Sequence, residues 1–228
     1  MIDVKKNIIE IRKNILNLEL SSNREKNSVT LMAVSKTKTS EDIRKAYEAG
    51  QKDFGENYLQ ESISKMKDLS DLDIIWHYIG KIQSNKSKLI AENYNWVHSI
   101  DKISTLQKIS NYRKKYTNKI NICIQVNIDN EESKSGINIE NVEDFIKEAY
   151  NFDGIHIRGL MAIPINSEKY ESQYKTFLRI KNIFDSLINK GYKLDTLSIG
   201  MSSDYNAAIA AGSTIVRIGT SIFGERKR

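Results

Sequence analysis

The sequence predicts an α/β protein in which eight parallel strands, each followed by a helix, close into a (β/α)8 TIM barrel. Short apolar runs alternate with amphipathic segments along the whole chain of 228 residues. The alternation repeats eight times, and eight is the number of strands at which a parallel sheet closes around a filled interior. No linker rich in Gly, Ser or Pro divides the chain, so we expect a single domain over residues 1–228.

The first elements are an extra helix and the strand that ends on Lys36. Residues 2–20 place isoleucine and leucine side chains three or four positions apart, which is typical of an amphipathic helix. The run V-T-L-M-A-V-S-K at 29–36 is apolar and β-branched, which predicts a buried strand. In the helix that follows, Ser40 is the expected N-cap and Gly50 the expected end.

The remaining seven units repeat this order. The predicted strands are 52–58, 73–80, 95–100, 120–128, 155–163, 195–200 and 214–219. Of the helices predicted in these units, the first ends at about residue 69, the second begins at about residue 84 and the third ends at about residue 116. The last three span 139–150, 167–190 and 204–212. An open, doubly wound sheet is the alternative architecture. It is disfavoured because a dinucleotide fold would have G-x-G-x-x-G after its first strand, where this chain has S-K-T-K-T.

Composition restricts the partners and the compartment. The net charge is +6, but lysines are scattered among acidic residues, so no nucleic-acid surface is indicated. No apolar run is long enough for a membrane span, and residues 1–20 are too charged for a signal peptide. The single cysteine, Cys123, fits a reducing compartment and is expected to fill the core. We expect a cytoplasmic monomer.

Lys36 is the first candidate for chemistry. The turn residues T-K-T-S follow it, so it lies just past the carboxyl end of a strand, where ligands bind in parallel α/β proteins. A lysine amine in its neutral form attacks a carbonyl and forms a Schiff base. A solvated loop lysine is the alternative interpretation.

The last two strand ends offer a phosphate site. Gly200 and Ser202 follow the seventh predicted strand, and Gly219 and Thr220 follow the eighth. Glycine lets a ligand approach the backbone, and amides and hydroxyls bind phosphate without a lysine. In barrels these two loops open on the same face as Lys36.

Arg217 indicates which phosphorylated ligand is involved. It lies just inside the end of a core strand, where an unpaired arginine is costly, so we expect it to point into the site and to meet an acceptor. An amine, a phosphate site and an arginine together suggest pyridoxal 5'-phosphate (PLP), with Lys36 bound to its aldehyde and Arg217 at the ring nitrogen. A guanidinium at that nitrogen makes the ring a poorer electron sink than a carboxylate would.

Long sequence blocks resemble the YggS/PLPBP-like family of PLP homeostasis proteins. The blocks are A-V-S-K at 33–36, F-G-E-N-Y at 54–58, W-H-Y-I-G-K-I-Q-S-N-K at 76–86, S-K-S-G at 133–136, R-G-L-M-A-I at 158–163, L-S-I-G-M-S-S-D at 197–204 and I-V-R-I-G-T-S-I-F-G-E-R at 215–226. The resemblance implies a barrel of the alanine racemase N-terminal-domain type with PLP on Lys36. It also implies phosphate contacts from Ser202, Gly219 and Thr220, Arg217 near the pyridine nitrogen, and Asn57 and Met201 lining the pocket.

Five other residues need separate interpretation. Lys81 departs from the histidine usual in the family, which we expect to alter only a charge at the rim of the site. Lys134 is either a second amine that receives PLP or a solvated charge in a loop. His77 and His98 end strands and could face the ring, although no metal-ligand spacing accompanies them. Tyr58 either closes over the pocket or packs against the neighbouring helix.

The expected function is that of a PLP carrier or regulator without turnover, with PLP-dependent apoenzymes as candidate partners. The alternative is a PLP-dependent amino-acid racemase, which needs two bases on opposite faces of the cofactor. About ten residues follow the last predicted strand, so we expect no second domain to supply the other base. A Schiff-base aldolase would use a similar lysine and phosphate site but would not be yellow.

Overall fold

The structure, a computed structural model, describes residues 2–129, 131, 135–165 and 167–225. Lys134 and its second-amine interpretation lie outside the described residues. No helix in those ranges combines the length and the apolar character that crossing a membrane requires.

The described strands form a closed parallel barrel, as predicted. They are β1 (Thr30–Val34), β2 (Asp53–Glu56), β3 (Ile75–Tyr78), β4 (Trp96–Ile100), β5 (Ile120–Asn127), β6 (Ile137–Asn138), β7 (Ile155–Ala162), β8 (Thr196–Met201) and β9 (Ile215–Ile218). The order around the barrel is β4-β3-β2-β1-β9-β8-β7-β5, and pairing of β4 with β5 closes it. The two-residue strand β6 is an addition that pairs with the end of β5.

The helices surround the barrel. They are α1 (Val4–Ser21), α2 (Ser40–Glu48), α3 (Leu59–Asp68), α4 (Ser87–Asn93), α5 (Ile103–Arg113), α6 (Val142–Ala149), α7 (Tyr170–Asn189), α8 (Tyr205–Ala210) and α9 (Thr220–Phe223). The extra helix α1 buries its isoleucine stripe against α2, α8 and α9. Its buried Glu19 accepts hydrogen bonds from the amides of Asn27 (2.9 Å) and Val29 (2.7 Å), which fixes the turn into β1.

Some boundaries differ from the predictions for local reasons. Thr39, rather than Ser40, is the N-cap of α2, because the Thr39 hydroxyl and the Asp42 carboxylate form a reciprocal capping box. Single turns of 3-10 helix, at Ser84–Lys86 and Ile139–Asn141, precede α4 and α6. The strand β6 was not predicted, because two residues are too few to show a period.

An irregularity in β8 shapes the functional end of the barrel. The pairing of β8 with β9 shifts register between Ser198 and Met201, and Gly200 lies between them with φ of +93°. A side chain at Gly200 would meet the Ala208 Cβ at 2.5 Å, so the close approach of α8 requires glycine there. The shift places Met201 opposite Arg217 in the sheet.

Candidate functional site

A cavity of about 320 Å³ opens at the carboxyl ends of β1, β2, β8 and β9. Its described lining consists of Val34, Lys36, Lys38, Asn57, Ile79, Met161, Ile163, Met201, Ser202, Ser203, Arg217, Gly219, Thr220 and Gly224. All seven residues predicted for cofactor binding are in this set: Lys36, Asn57, Met201, Ser202, Arg217, Gly219 and Thr220. The structure therefore brings them together, and their individual roles as cofactor ligands remain predictions.

Lys36 lies two residues beyond the end of β1, in a turn held from both sides. The Ser35 amide donates to the Gly55 carbonyl at 3.0 Å, which continues the sheet. Thr37 has φ of +65°, a left-handed conformation that is costly for a β-branched residue. Its amide donates to Glu61 Oε1 at 2.7 Å. The backbone on either side of Lys36 is thus fixed, which limits where its side chain can point.

A buried ionic cluster lies beneath that turn. Lys65 Nζ, on α3, donates to the Ser35 carbonyl (2.9 Å), to Glu56 Oε1 (2.9 Å) and to Glu61. Ser35 Oγ donates to Glu56 Oε1 at 2.6 Å. Burial raises the pKa of the Glu56 carboxyl, an effect that Lys65 and Ser35 only partly offset. The sequence analysis missed this cluster because Glu61 and Lys65 have the spacing of an ordinary surface pair on a helix.

Arg217 is buried in the wall of the cavity and meets acceptors, as predicted. Its guanidinium donates to the Ser198 carbonyl (2.6 Å), to Ser198 Oγ (2.9 Å) and to the Ala162 carbonyl (3.0 Å). Burial lowers the pKa of Arg217 to about 10, and the charge of Asp204 partly offsets the effect. An arginine held at three points presents its remaining N–H groups in a fixed direction.

The loops after β8 and β9 meet across one hydrogen bond. The Gly219 amide donates to Ser202 Oγ at 3.3 Å, and the Met201 amide donates to Asp204 Oδ1 at 2.6 Å. Ser202 and Thr220 line the cavity beside them. Ser202, Gly219 and Thr220, the residues predicted to bind a phosphate, therefore lie together at this end of the cavity, and phosphate binding there stays a prediction.

Asn57 leaves an unused acceptor in the site. Its Oδ1 is buried and has no hydrogen-bond partner among the described residues. The backbone of Asn57 also packs so closely on Gly80 that a Cβ there would lie 2.1 Å from the Asn57 carbonyl oxygen. A buried acceptor in a tightly packed turn is costly unless a ligand supplies a donor.

Lys38 is a charged lining residue that sequence reasoning missed. Its Nζ donates to the carbonyls of Phe223 (3.1 Å) and Gly224 (3.2 Å), which joins the loop after β1 to the loop after β9. The K-T-K spacing in the turn after β1 was the available signal. Two lysines therefore line the cavity, and an experiment must distinguish them.

Other candidate residues lie outside the lining. His77 and His98 are buried within the barrel and are hydrogen-bonded to each other at 3.0 Å, so the expectation that they could face the ring is not met. Cys123 is fully buried, as expected of a core residue, and burial raises its pKa. Tyr58 is half exposed. Lys81 is exposed, and its carbonyl accepts from the Tyr78 hydroxyl at 3.2 Å.

Comparison with known proteins identifies similar chains along the full length. The family model described as "Alanine racemase, N-terminal domain" matches residues 7–227. The pyridoxal phosphate homeostasis protein of Pseudomonas aeruginosa is 42% identical, with 99% of this chain and 97% of that protein covered. The protein of the same name from Vibrio alginolyticus is 44% identical, with 99% of each covered.

Two solved structures extend the comparison. PipY of Synechococcus elongatus, whose structure has PLP bound, aligns with a TM-score of 0.85 and 31% identity, covering 97% of this chain and all of that one. An alanine racemase of Clostridium difficile aligns with a TM-score of 0.76 at 16% identity, covering 98% of this chain and 56% of that one. The second likeness shows the fold alone, a barrel of the type predicted from the sequence.

Proposed function

Because the chain belongs to the family of pyridoxal phosphate homeostasis proteins, which is built on the alanine racemase N-terminal domain, we propose that it binds PLP in the cavity at the carboxyl ends of the strands. The observation that supports this most directly is that all seven predicted cofactor residues line that one cavity. We further propose that it stores and releases PLP as a cytoplasmic monomer, for PLP-dependent apoenzymes to use.

The residues present fit the cofactor at three points. The Lys36 amine would hold the aldehyde, with the fixed turn around it limiting the directions of attack. Ser202, Gly219 and Thr220 would hold the phosphate through hydroxyls and amides. Asn57 Oδ1, the buried acceptor without a partner among the described residues, would accept from a hydroxyl of the pyridoxal ring.

Arg217 would donate to the ring nitrogen. A guanidinium that stays protonated at neutral pH keeps that nitrogen unprotonated, and this limits the carbanion chemistry that PLP otherwise supplies to enzymes when bound through a lysine Schiff base. The contacts to Ser198 and Ala162 restrain the guanidinium, so it cannot follow a cofactor that moves. Both features suit retention of the cofactor better than turnover.

The charges around the cavity also favour a carrier over a racemase. Among the described lining residues, the ionisable side chains are Lys36, Lys38 and Arg217. Lys38 is engaged with backbone carbonyls, and an arginine is a poor base. A racemase needs a second base opposite the lysine, and none of the described lining side chains fits that role.

The decisive experiment is borohydride reduction of the PLP-loaded protein followed by peptide mass spectrometry. We expect a pyridoxyl adduct on Lys36, assigned by fragmentation because Lys38 lies in the same peptide. Lys36→Ala should be colourless and form no adduct, whereas Lys38→Ala, the matched control, should be yellow and form one. An adduct on Lys38 in the wild-type protein would reassign the anchor, and the absence of any adduct would refute the proposal.

A racemisation assay with common amino acids addresses the alternative. A rate no greater than that of free PLP is expected. A rate well above it would make the protein an enzyme.

A further inference from the structure

A continuous chain of hydrogen bonds crosses the interior of the barrel and ends on Arg217. Asp53 Oδ1 lies 3.0 Å from His77 Nε2, and His77 Nδ1 lies 3.0 Å from His98 Nε2. His98 Nδ1 lies 3.0 Å from Ser198 Oγ, which accepts from Arg217 NH1 at 2.9 Å. Five strands contribute one residue each, and none of the chain's members except Arg217 lines the cavity.

The chain connects the two ends of the barrel. Asp53 is the first residue of β2, and its side chain is 23% exposed. It borders a second cavity, of about 330 Å³, at the amino ends of β1 and β2. His77 and His98 are almost fully buried, as is Ser198. The chain therefore runs from a partly solvated carboxylate to a buried guanidinium.

The residues at the two ends of the chain, Asp53 and Arg217, determine the direction of every hydrogen bond in it. An aspartate carboxylate only accepts, so His77 Nε2 is the donor to Asp53. A neutral imidazole has one donor and one acceptor, so His77 Nδ1 accepts from His98 Nε2, and His98 Nδ1 accepts from the Ser198 hydroxyl. Arg217 only donates, so its N–H bonds to Ser198 Oγ. All the donors point away from Arg217 and toward Asp53.

Other charged and titratable groups around the two histidines do not interrupt the chain. Arg158, on β7, lies over the Trp96 ring, on which His77 stacks, but it pairs with Asp195. Cys123, on β5, is fully buried. A metal site is a poor alternative, because in the described chain no cluster of three or more His, Cys, Asp or Glu side chains could hold an ion.

We propose that Asp53, His77, His98 and Ser198 are positioning residues that hold Arg217 in place and transmit the charge of Asp53 to it. The buried guanidinium obtains part of its counter-charge through aligned dipoles, in addition to that of Asp204. This rests on the proposed function, because the group that Arg217 is positioned to meet is the ring nitrogen of PLP. The effect is tighter retention of the cofactor without any change in where it attaches.

The test measures PLP release from loaded protein into an excess of a PLP-dependent apoenzyme. In Ser198→Ala, release should be about tenfold faster, as expected for loss of one hydrogen bond to a charged group. His98→Leu keeps that hydrogen bond but removes the acceptor of the Ser198 hydroxyl, so release should also be faster, by a smaller factor. In Asp53→Asn the hydrogen-bond acceptor remains but the charge is lost, so PLP release should accelerate by less than in Ser198→Ala. The visible absorbance of the bound PLP should also titrate at a different pH from that of the wild type. His156→Leu, which alters an exposed histidine on β7, should match the wild type.

A second measurement needs no variant. Nitrogen-15 NMR of the wild-type imidazoles should show the Nε2–H tautomer for both His77 and His98. An Nδ1–H tautomer in either one would overturn the inference, as would wild-type release and absorbance in Ser198→Ala and Asp53→Asn. The borohydride adduct on Lys36 reports separately on the proposed function, because it should form in all of these variants.

Discussion

Lys65 Nζ lies 2.9 Å from Glu56 Oε1, and both side chains are almost completely buried. The same ammonium group donates to the Ser35 carbonyl, one residue before Lys36. Glu61, the second carboxylate on Lys65, accepts from the Thr37 amide, one residue after Lys36. The pair therefore links the position of α3 to the conformation of the turn that carries Lys36.

Lys65→Met should strongly destabilise the protein. The change leaves Glu56 as an unpaired buried carboxylate and removes the donor from the Ser35 carbonyl, and breaking a buried pair in this way costs about 3–5 kcal/mol. Urea unfolding at pH 7 measures the loss. Lys67→Met, at an exposed position of the same helix, should change the unfolding free energy by less than about 0.5 kcal/mol. Equal effects in the two variants would show that the pair is not structurally important.

Glu56→Gln should be tolerated, in contrast to the loss of its partner. Burial raises the pKa of Glu56, so its contribution to stability is fully present below its ordinary pKa and is lost as the pH rises through the raised value. The variant removes the cost of burying the Glu56 carboxylate at neutral pH, and Glu61 still neutralises Lys65. At pH 7 the free energy of unfolding should stay within about 1 kcal/mol of the wild type.

The comparison with acidic pH checks the sign of the Glu56 effect. The free energy of unfolding of Glu56→Gln, minus that of the wild type, should be lower at pH 4.5 than at pH 7. The opposite trend would mean that the carboxylate is stabilised by folding.

Gly200→Ala should disturb both the fold and the loop after β8. An added methyl group would lie 2.5 Å from the Ala208 Cβ, so α8 must move or β8 must lose its irregular register. Gly191 is the matched control, because it has the same φ of +93° but no atom within 4 Å of an added Cβ. Gly191→Ala should cost about 1 kcal/mol from backbone strain alone.

The difference between the two glycine variants isolates the steric contribution. Gly200→Ala should be at least about 2 kcal/mol less stable than Gly191→Ala by urea unfolding, and it should bind PLP more weakly. Equal losses would mean that α8 accommodates the methyl group and that the glycine serves only the backbone angle.

Much of the site could be predicted because barrel topology converts sequence position into spatial position. Lys36 and Gly219 follow different strands by one or two residues, and parallel closure places both at one rim. Arg217 could be placed because an arginine inside a core strand must find acceptors. These predictions needed only the strand ends, which apolar runs mark clearly.

The missed features depend on which face of an element is buried and what packs there. The i,i+4 pair of Glu61 and Lys65 has the spacing of a solvated pair, and the burial of Lys65 follows only from its contacts with Ser35 and Glu56. The relation of His77 to His98 depends on strand register, which is set by pairing across the barrel. The register shift at Gly200 in β8 could not be predicted either, because a glycine in a strand does not indicate which neighbouring element packs against it.

The unfolding free energy should fall as the pH is lowered below about 6.5. Burial lowers the pKa of both His77 and His98, and for His98 the neighbouring His77 and Arg217 lower it further. For a group with a depressed pKa, the contribution to stability is present above the pKa of the unfolded chain and is lost as the pH falls toward the pKa of the folded protein. The reason is that the unfolded chain binds protons in this range and the folded protein does not. The slope should approach about 1.4 kcal/mol per pH unit for each histidine.

Urea unfolding at pH 7.5, 6.5 and 5.5 measures this slope, and two variants separate its sources. Glu56, whose pKa is raised, opposes the histidines, so Glu56→Gln should show a slope at least as steep as that of the wild type. His156→Gln removes the exposed histidine and should retain most of the slope. A stability of Glu56→Gln that stays constant from pH 7.5 to 5.5 would mean that the buried pair accepts a proton in the folded state. A protonated His98 could no longer accept from Ser198, so the orientation of the hydrogen bonds that hold Arg217 would have to change as well.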